Sequence, residues 1–93
     1  MAGTTNYTNR SGTITSGGAS QQLMPANTRR AYWFFQNISA DTLWLDFAVA
    51  AVQDQPSVKV LAGESVSSDE VVTVDQINVI GPNTGAKFVA KEG

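Results

Sequence analysis

The sequence predicts an all-β fold, a small single-domain β-sandwich or jelly-roll-like barrel of about eight short strands. Turn signals built from Gly, Pro, Asn and Asp recur about every eight to twelve residues, as they do in such folds. β-branched residues dominate the stretches between these turns. A chain of 93 residues forms one domain and buries only about 60–65% of its unfolded surface. We therefore expect modest stability unless partners add contacts.

Residues 1–10 are mostly Thr, Asn and Gly, and they cannot bury enough apolar surface to fold alone. We predict a flexible N-terminal arm over 1–10 and a β-sandwich domain over 11–93. The arm is either a disordered end or a segment that becomes ordered on a neighbouring molecule, with Tyr7 as its apolar anchor. In both cases its deletion should leave the thermal stability nearly unchanged.

Turn residues separate the predicted strands, which are 12–15, 19–24, 30–37, 43–47, 57–61, 65–67, 71–74, 77–80 and 86–90. Residues 48–52 are rich in Ala and fit either a helical turn or a loop. Asn37 should form a side-chain turn with the backbone of the connection that follows it.

Alternation along the strands predicts which side chains point into the core. The predicted inward rows are Leu43, Leu45 and Phe47; Val58 and Val60; Val72 and Val74; and Ile77 and Val79. Residues 32–37 carry large side chains in both rows, so the register of this strand stays open.

The aromatic strands 32–37 and 43–47 carry large apolar side chains on both faces and are joined by a short connection. One face can pack on the core, but the other face also needs a cover. A second copy of the chain or another protein is the simplest cover, so we expect a homo-oligomer, with a trimer favoured over a pentamer. The candidate interface residues are Tyr7, Trp33, Phe35 and Trp44.

The largest aromatic side chains also fit two other roles. They are candidates for the core, as large apolar residues are in any small domain. Trp33, Trp44 and Tyr32 are also candidates for a sugar-stacking platform, with Asp46 as its polar partner. Core, subunit interface and carbohydrate site therefore remain open for these rings.

The composition excludes most catalytic and metal chemistry. The chain has no Cys and no His, which removes most zinc, copper and haem sites and the common nucleophile systems. The net charge is −2 and Arg29-Arg30 is the one local basic pair, so nothing favours nucleic acid or an anionic membrane. No apolar stretch approaches about 20 residues, and the N-terminus lacks the apolar region of a secretory signal. We expect no enzyme, no cofactor and no metal.

Several short motifs occur in a fixed order after Arg10. They are Ser11-Gly12-Thr13-Ile14-Thr15 with Gly17-Gly18, Pro25 to Arg30, Phe35-Gln36-Asn37-Ile38-Ser39, Leu43-Trp44-Leu45-Asp46-Phe47, Ile77 to Ile80, and Ala86 to Glu92. Together they resemble small tailed-bacteriophage virion structural proteins, in which an Arg-containing loop leads into an apolar strand ending Gln-Asn. The strand after the polar turn departs at Asp46, where Asn is commoner in that group.

The resemblance implies a structural role on the virus particle and no catalytic residue. The first expectation is a capsid decoration or cement protein that binds the outside of the major capsid shell. A neck or tail component is the second, and a small carbohydrate-binding β-sandwich module is the alternative from another class. The expected partners are the major capsid protein and further copies of the chain, and the expected location is the virion, assembled in the host cytoplasm.

Overall fold

Nine short strands form two antiparallel sheets in the computed structural model, which describes residues 7–93. The strands are β1 (Thr8–Asn9), β2 (Gly12–Thr13), β3 (Gln21–Met24), β4 (Trp33–Asn37), β5 (Leu43–Phe47), β6 (Val58–Val60), β7 (Ser65–Ser67), β8 (Ile77–Ile80) and β9 (Lys87–Glu92). In the β4/β9 sheet, β1 and β2 both pair with β9, which pairs with β4, which pairs with β7. The β5/β8 sheet has the order β3-β8-β5-β6. The predicted all-β sandwich class is confirmed.

The core lies between the two sheets and is built from alternate residues of the strands. Leu43 and Leu45 are fully buried, and Phe47 packs against them from a half-buried position, as the alternation predicted. The predicted inward rows of β6 and β8 are also confirmed, because both side chains of each row belong to the core or pack on it. In β4 the inward row is Trp33, Phe35 and Asn37, which the sequence had left open.

Consecutive strands often belong to different sheets. β4 and β5 are joined by a short connection, yet β4 pairs with β7 and β9 while β5 pairs with β6 and β8. In the same way β6 and β7 follow each other in sequence but lie in opposite sheets. These two short connections therefore cross from one sheet to the other instead of forming hairpins, and they lie at the same end of the sandwich, where the N–H of Gly63 donates to the carbonyl of Asn37.

The predicted strand 71–74 is wrong. This segment pairs with no strand of the described chain, and Val72 and Val74 are exposed rather than turned inward. The side chains of Trp33 and Arg30 donate hydrogen bonds to backbone carbonyls of the segment and hold it in place. The alternation of valines with a polar residue predicted a strand. In the structure, however, the backbone carbonyls of this segment accept hydrogen bonds from side chains and not from a neighbouring strand.

Residues 48–57 form a loop, not a helical turn, and the loop is tied to the outer face of the β5/β8 sheet. Asn78 Nδ2 donates a hydrogen bond to the carbonyl of Val49 at 2.7 Å, and Ser57 Oγ donates to Asp46 Oδ2 at 3.0 Å. Both Asn78 and Asp46 lie in the outward rows of their strands.

This loop supplies part of the cover that we expected from a partner. Ala51 and Ile80 are buried, yet neither belongs to the core between the sheets. Ile80 lies in the outward row of β8, in line with Asn78. The chain therefore covers part of the outer face of one sheet with its own backbone, and that face needs a second molecule less than the sequence implied.

The boundary of the predicted N-terminal arm also changes. Thr8 and Asn9 pair with the end of β9, and the backbone N–H of Arg10 donates to the carbonyl of Ala90 at 2.7 Å. Thr8 and Asn9 thus form an edge strand of the β4/β9 sheet, and Arg10 is hydrogen-bonded to the same strand. The rest of the predicted arm, residues 1–6, lies outside the described residues.

Candidate interaction surface

One end of the sandwich is organised by a buried carboxylate. Glu92 accepts hydrogen bonds from Arg10 Nε at 2.7 Å, from Arg30 Nε at 2.9 Å and from Asn27 Nδ2 at 3.3 Å. The side chain of Arg30 is 1% exposed and that of Arg10 is 34% exposed. Two loops and the first strands are therefore fastened to the last strand of the fold through one side chain.

The guanidinium of Arg30 has further partners on the backbone. Its Nη2 donates to the carbonyl of Pro25 at 2.7 Å, and its Nη1 donates to those of Thr73 and Asp75 at 3.2 and 2.8 Å. All three nitrogens of the buried guanidinium therefore donate hydrogen bonds within the chain. This is the condition under which a buried charge is tolerated, because unpaired it would lose its hydration without compensation.

Opposing effects act on the pKa of Glu92. Burial in the protein raises the pKa of this carboxyl by disfavouring the charged form. Hydrogen bonds from Arg30, Arg10 and Asn27, together with the charge of Arg30, act the other way and outweigh burial, so the pKa lies below its ordinary value. The ionised carboxylate is therefore the form that the fold stabilises.

A second buried polar residue, Asn37, shapes the connection between β4 and β5. Its Nδ2 donates to the carbonyls of Asp41 and Val60 at 2.6 and 3.1 Å, and its Oδ1 accepts from the N–H and the hydroxyl of Ser39. The predicted side-chain turn is confirmed. Within residues 7–93, no buried side-chain nitrogen or oxygen lacks a hydrogen-bond partner.

The candidate interface residues Trp33 and Phe35 lie in the core, so neither can meet a partner in the folded chain. The ring of Trp33 lies 5.7 Å from that of Phe47, and the ring of Phe35 lies 5.6 Å from that of Phe88. Of the roles left open for these two rings, the structure therefore places them in the core. Alternation could not decide between the two rows of β4, because both begin with aromatic residues.

The other two candidates, Tyr7 and Trp44, keep accessible rings but on different sheets. Trp44 is half-buried in the outward row of β5, with Lys59 Nζ 5.7 Å from its ring centroid. Tyr7 is 54% exposed beside the β4/β9 sheet. The predicted sugar platform of Trp33, Trp44 and Tyr32 does not form, since Trp33 is internal.

The outer face of the β4/β9 sheet carries a cluster that the sequence reasoning missed. The rings of Tyr7 and Tyr32 lie 6.0 Å apart, and Lys91 Nζ lies 5.7 Å from the ring of Tyr7. Phe34 is directly opposite Lys91 in the pairing of β4 with β9, and Val89 is the next outward residue of β9. We call this the aromatic–lysine face, and its residues are Tyr7, Tyr32, Phe34, Lys87, Val89 and Lys91. A correct register for β4 would have revealed it.

A second exposed feature is the loop before β8, where acidic residues flank a valine-rich run. Val72 is 89% exposed, and Val74 is also exposed. Asp69, Glu70 and Asp75 flank the valines and are exposed too. We call residues 69–75 the valine–acid loop.

Further large apolar side chains are exposed on the connections of the sandwich. They are Ile38, Val49, Val52 and Leu61. Ile38 and Leu61 lie at the same end, because the N–H of Gly63 donates to the carbonyl of Asn37. The exposed apolar surface is thus carried by loops at both ends and not by a single pocket.

An open groove of about 350 Å³ lies beside the loop 48–57. Its lining residues are Ser20, Gln21, Gln22, Ala48, Val49, Ala50, Gln76 and Asn78. The amides at its floor already bond each other, since Gln76 Nε2 donates to Asn78 Oδ1 at 2.8 Å. The amides of Gln76 and Asn78 are therefore already engaged within the chain.

In the part of the chain that the structure describes, no group of three acidic, His or Cys side chains is arranged to hold a metal ion. Across residues 7–93, no helix is long and apolar enough to span a membrane.

Comparisons with protein-family models, with curated proteins and with solved structures found no match.

Proposed function

We propose that the chain is a non-enzymatic structural protein of a tailed-phage virion, a decoration or cement protein that binds the outside of the major capsid shell. The observation that carries the proposal is the exposure of large apolar side chains on short loops of a hydrogen-bonded β-framework. Only contiguous apolar patches indicate a protein-binding surface, and the closest grouping here is Ile38 and Leu61, which lie at one end of the sandwich. The assignment to a phage particle comes from the motifs after Arg10.

The chemistry of the framework supports a binding role over a catalytic one. An active site needs polar groups that converge on a substrate. In this chain the buried polar side chains Arg30, Glu92 and Asn37 bond to other parts of the same fold. Asp46 is held in the same way by Ser57. These polar groups stabilise loops of the fold. Binding to another molecule would therefore depend mainly on apolar contacts at the surface.

A decoration protein needs little from each copy. Burial of apolar surface contributes about 25 cal/mol per Å², and a standard interface buries roughly 1,600 Å² in total. Many copies on a symmetric shell add avidity to whatever one copy supplies. Exposed side chains such as Ile38, Leu61 and Val49 provide contact area of this kind. In this proposal the protein acts on the virion, which assembles in the host cytoplasm.

Co-sedimentation with capsid shells tests the proposal. The purified chain is mixed with assembled shells of the phage that encodes it, and in parallel with shells of an unrelated phage as the control. We expect saturable binding to the first at a fixed ratio of chain to capsid protein, and none to the second. Absence of binding to the cognate shell at micromolar concentrations would overturn the capsid role. Binding to purified necks or tails in its place would move the protein to that part of the particle.

A further inference from the structure

The valine–acid loop presents an apolar side chain in a fixed position. On one side of Val72, the carbonyl of Val71 accepts a hydrogen bond from Trp33 Nε1 at 2.8 Å. On the other side, the carbonyls of Thr73 and Asp75 accept from Arg30 Nη1. The donors belong to buried side chains, so the loop backbone is anchored to the core. A partner that covers Val72 does not have to order this loop first, which lowers the cost of binding.

The aromatic–lysine face carries positive charges where the valine–acid loop carries negative ones. Like that loop, it also exposes apolar surface. Its outward row on β9 is Lys87, Val89 and Lys91, since Phe88, Ala90 and Glu92 point into the fold. Lys87 and Lys91 are the outward-facing charged side chains of the strands in this sheet. Tyr7 and Tyr32 extend the face beyond the lysines with exposed aromatic surface.

We propose that the chain binds a second copy of itself through these two surfaces, with the valine–acid loop of one copy on the aromatic–lysine face of the other. Apolar side chains then meet apolar side chains, and the exposed acids at Asp69 and Asp75 meet the lysines of β9. Complementary charge at an interface selects the partner and its orientation. Because one chain carries both halves of the pair, a second copy presents the complement that each half requires. The inference concerns the chain alone and holds whether or not it binds a capsid.

The charges also disfavour the simpler contact of each surface with itself. Two valine–acid loops face to face would oppose acids with acids, and two lysine rows would repel in the same way. The two surfaces border the same end of the sandwich, because the N–H of Ser68 donates to the carbonyl of Trp33, next to Tyr32. Unlike patches on one subunit pair either reciprocally about a two-fold axis or head to tail, which gives a ring where the rotation closes and an open filament where it does not.

Charge reversal provides the sharpest test. One variant carries Lys87→Glu with Lys91→Glu, and the other carries Asp69→Lys with Asp75→Lys. Sedimentation equilibrium of the full chain should show self-association that each variant alone weakens about tenfold or more at low salt. An equal mixture of the two variants should recover it, because each unlike contact in the mixed complex again joins opposite charges. Circular dichroism confirms that the variants remain folded.

A matched pair of apolar variants isolates the contribution of Val72. Val72→Ser should weaken association, while Val49→Ser, at a valine that is 56% exposed on another loop, should leave it unchanged. A native chain that stays monomeric up to roughly 1 mM, which corresponds to a binding free energy weaker than about 4 kcal/mol, would overturn the inference. So would association that both charge-reversed variants retain, or a mixture that fails to recover it.

Discussion

Glu92 joins three distant parts of the chain, because it accepts hydrogen bonds from Arg10, Asn27 and Arg30. Replacing it by Gln removes the charge that compensates Arg30, which is 1% exposed, and leaves that guanidinium buried without its counter-ion. Breaking a buried pair from one side costs about 3–5 kcal/mol. We expect Glu92→Gln to lose that much unfolding free energy in urea. Asp69→Asn, at an exposed acid, is the control and should stay within about 0.5 kcal/mol of the native chain.

The same carboxylate predicts a dependence of stability on pH. The pKa of Glu92 is lower in the folded chain than in the unfolded chain, so the unfolded state binds a proton first. The stabilisation is therefore complete above the ordinary pKa of a glutamate and is lost as the pH falls through the lowered pKa of the folded state. We expect urea denaturation in the acid range to show a smaller loss of stability for Glu92→Gln than for the native chain. Parallel curves for the two proteins would show that another group is responsible.

The two tryptophans provide a matched comparison at the scale of single residues. Trp33→Ala removes a fully buried ring and the hydrogen bond to Val71, and should cost about 3–5 kcal/mol. Trp44→Ala removes a half-buried ring from the outer face of β5 and should cost clearly less. Chemical denaturation measures both. Equal losses would mean that Trp44 contributes to the core as much as Trp33 does.

At the scale of elements, the N-terminal strand reverses an expectation from the sequence. Thr8 and Asn9 pair with β9, and Arg10 shares Glu92 with Arg30. Deleting residues 1–10 should therefore lower the melting temperature by several degrees, since it removes both backbone pairing and an ion pair. Deleting only residues 1–6 removes none of these contacts and serves as the control. Equal melting temperatures for the two truncated chains would show that residues 7–10 do not contribute to stability.

The sequence predicted the strands best where one row of side chains was clearly apolar. In β5, β6 and β8 the inward rows were predicted correctly, because a polar or charged residue marks each outward row. In β4 both rows carry large aromatic side chains, so alternation left the register open and kept Trp33 and Phe35 as candidates for an interface as well as for the core. The open register also left the outward row unassigned, and with it the place of Phe34 on the aromatic–lysine face.

The segment 71–74 failed for a different reason. Its pattern is that of a half-buried strand, but its carbonyls are bonded by Trp33 and Arg30, which lie about 40 residues earlier in the chain. A local sequence pattern does not show that side chains far away in the sequence will supply the hydrogen bonds that a neighbouring strand would otherwise supply. The consequence is that Val72 and Val74, which alternation assigned to the core, are exposed.

At the scale of the whole molecule, alternation cannot assign strands to sheets. β4 and β5 are neighbours in sequence, yet each belongs to a different sheet, and so do β6 and β7. The loop 48–57 lies on the outer face of the β5/β8 sheet. The pattern of apolar residues in the strands does not predict where this loop lies. Part of the surface that implied an oligomer is thus covered internally. The remaining exposed surface lies on the β4/β9 sheet and on the end loops, and the predicted trimer stays a prediction.

The proposed role on a virus particle is tested most directly by electron cryomicroscopy of cognate capsids with and without the purified chain. The proposed function predicts additional density on the outer surface of the shell, repeated at equivalent joints between capsid subunits, into which the two-sheet fold fits. The density should be absent from shells that were not mixed with the chain. Shells that look the same with and without the chain at saturating concentration, or density confined to the neck or tail, would contradict the assignment to capsid decoration.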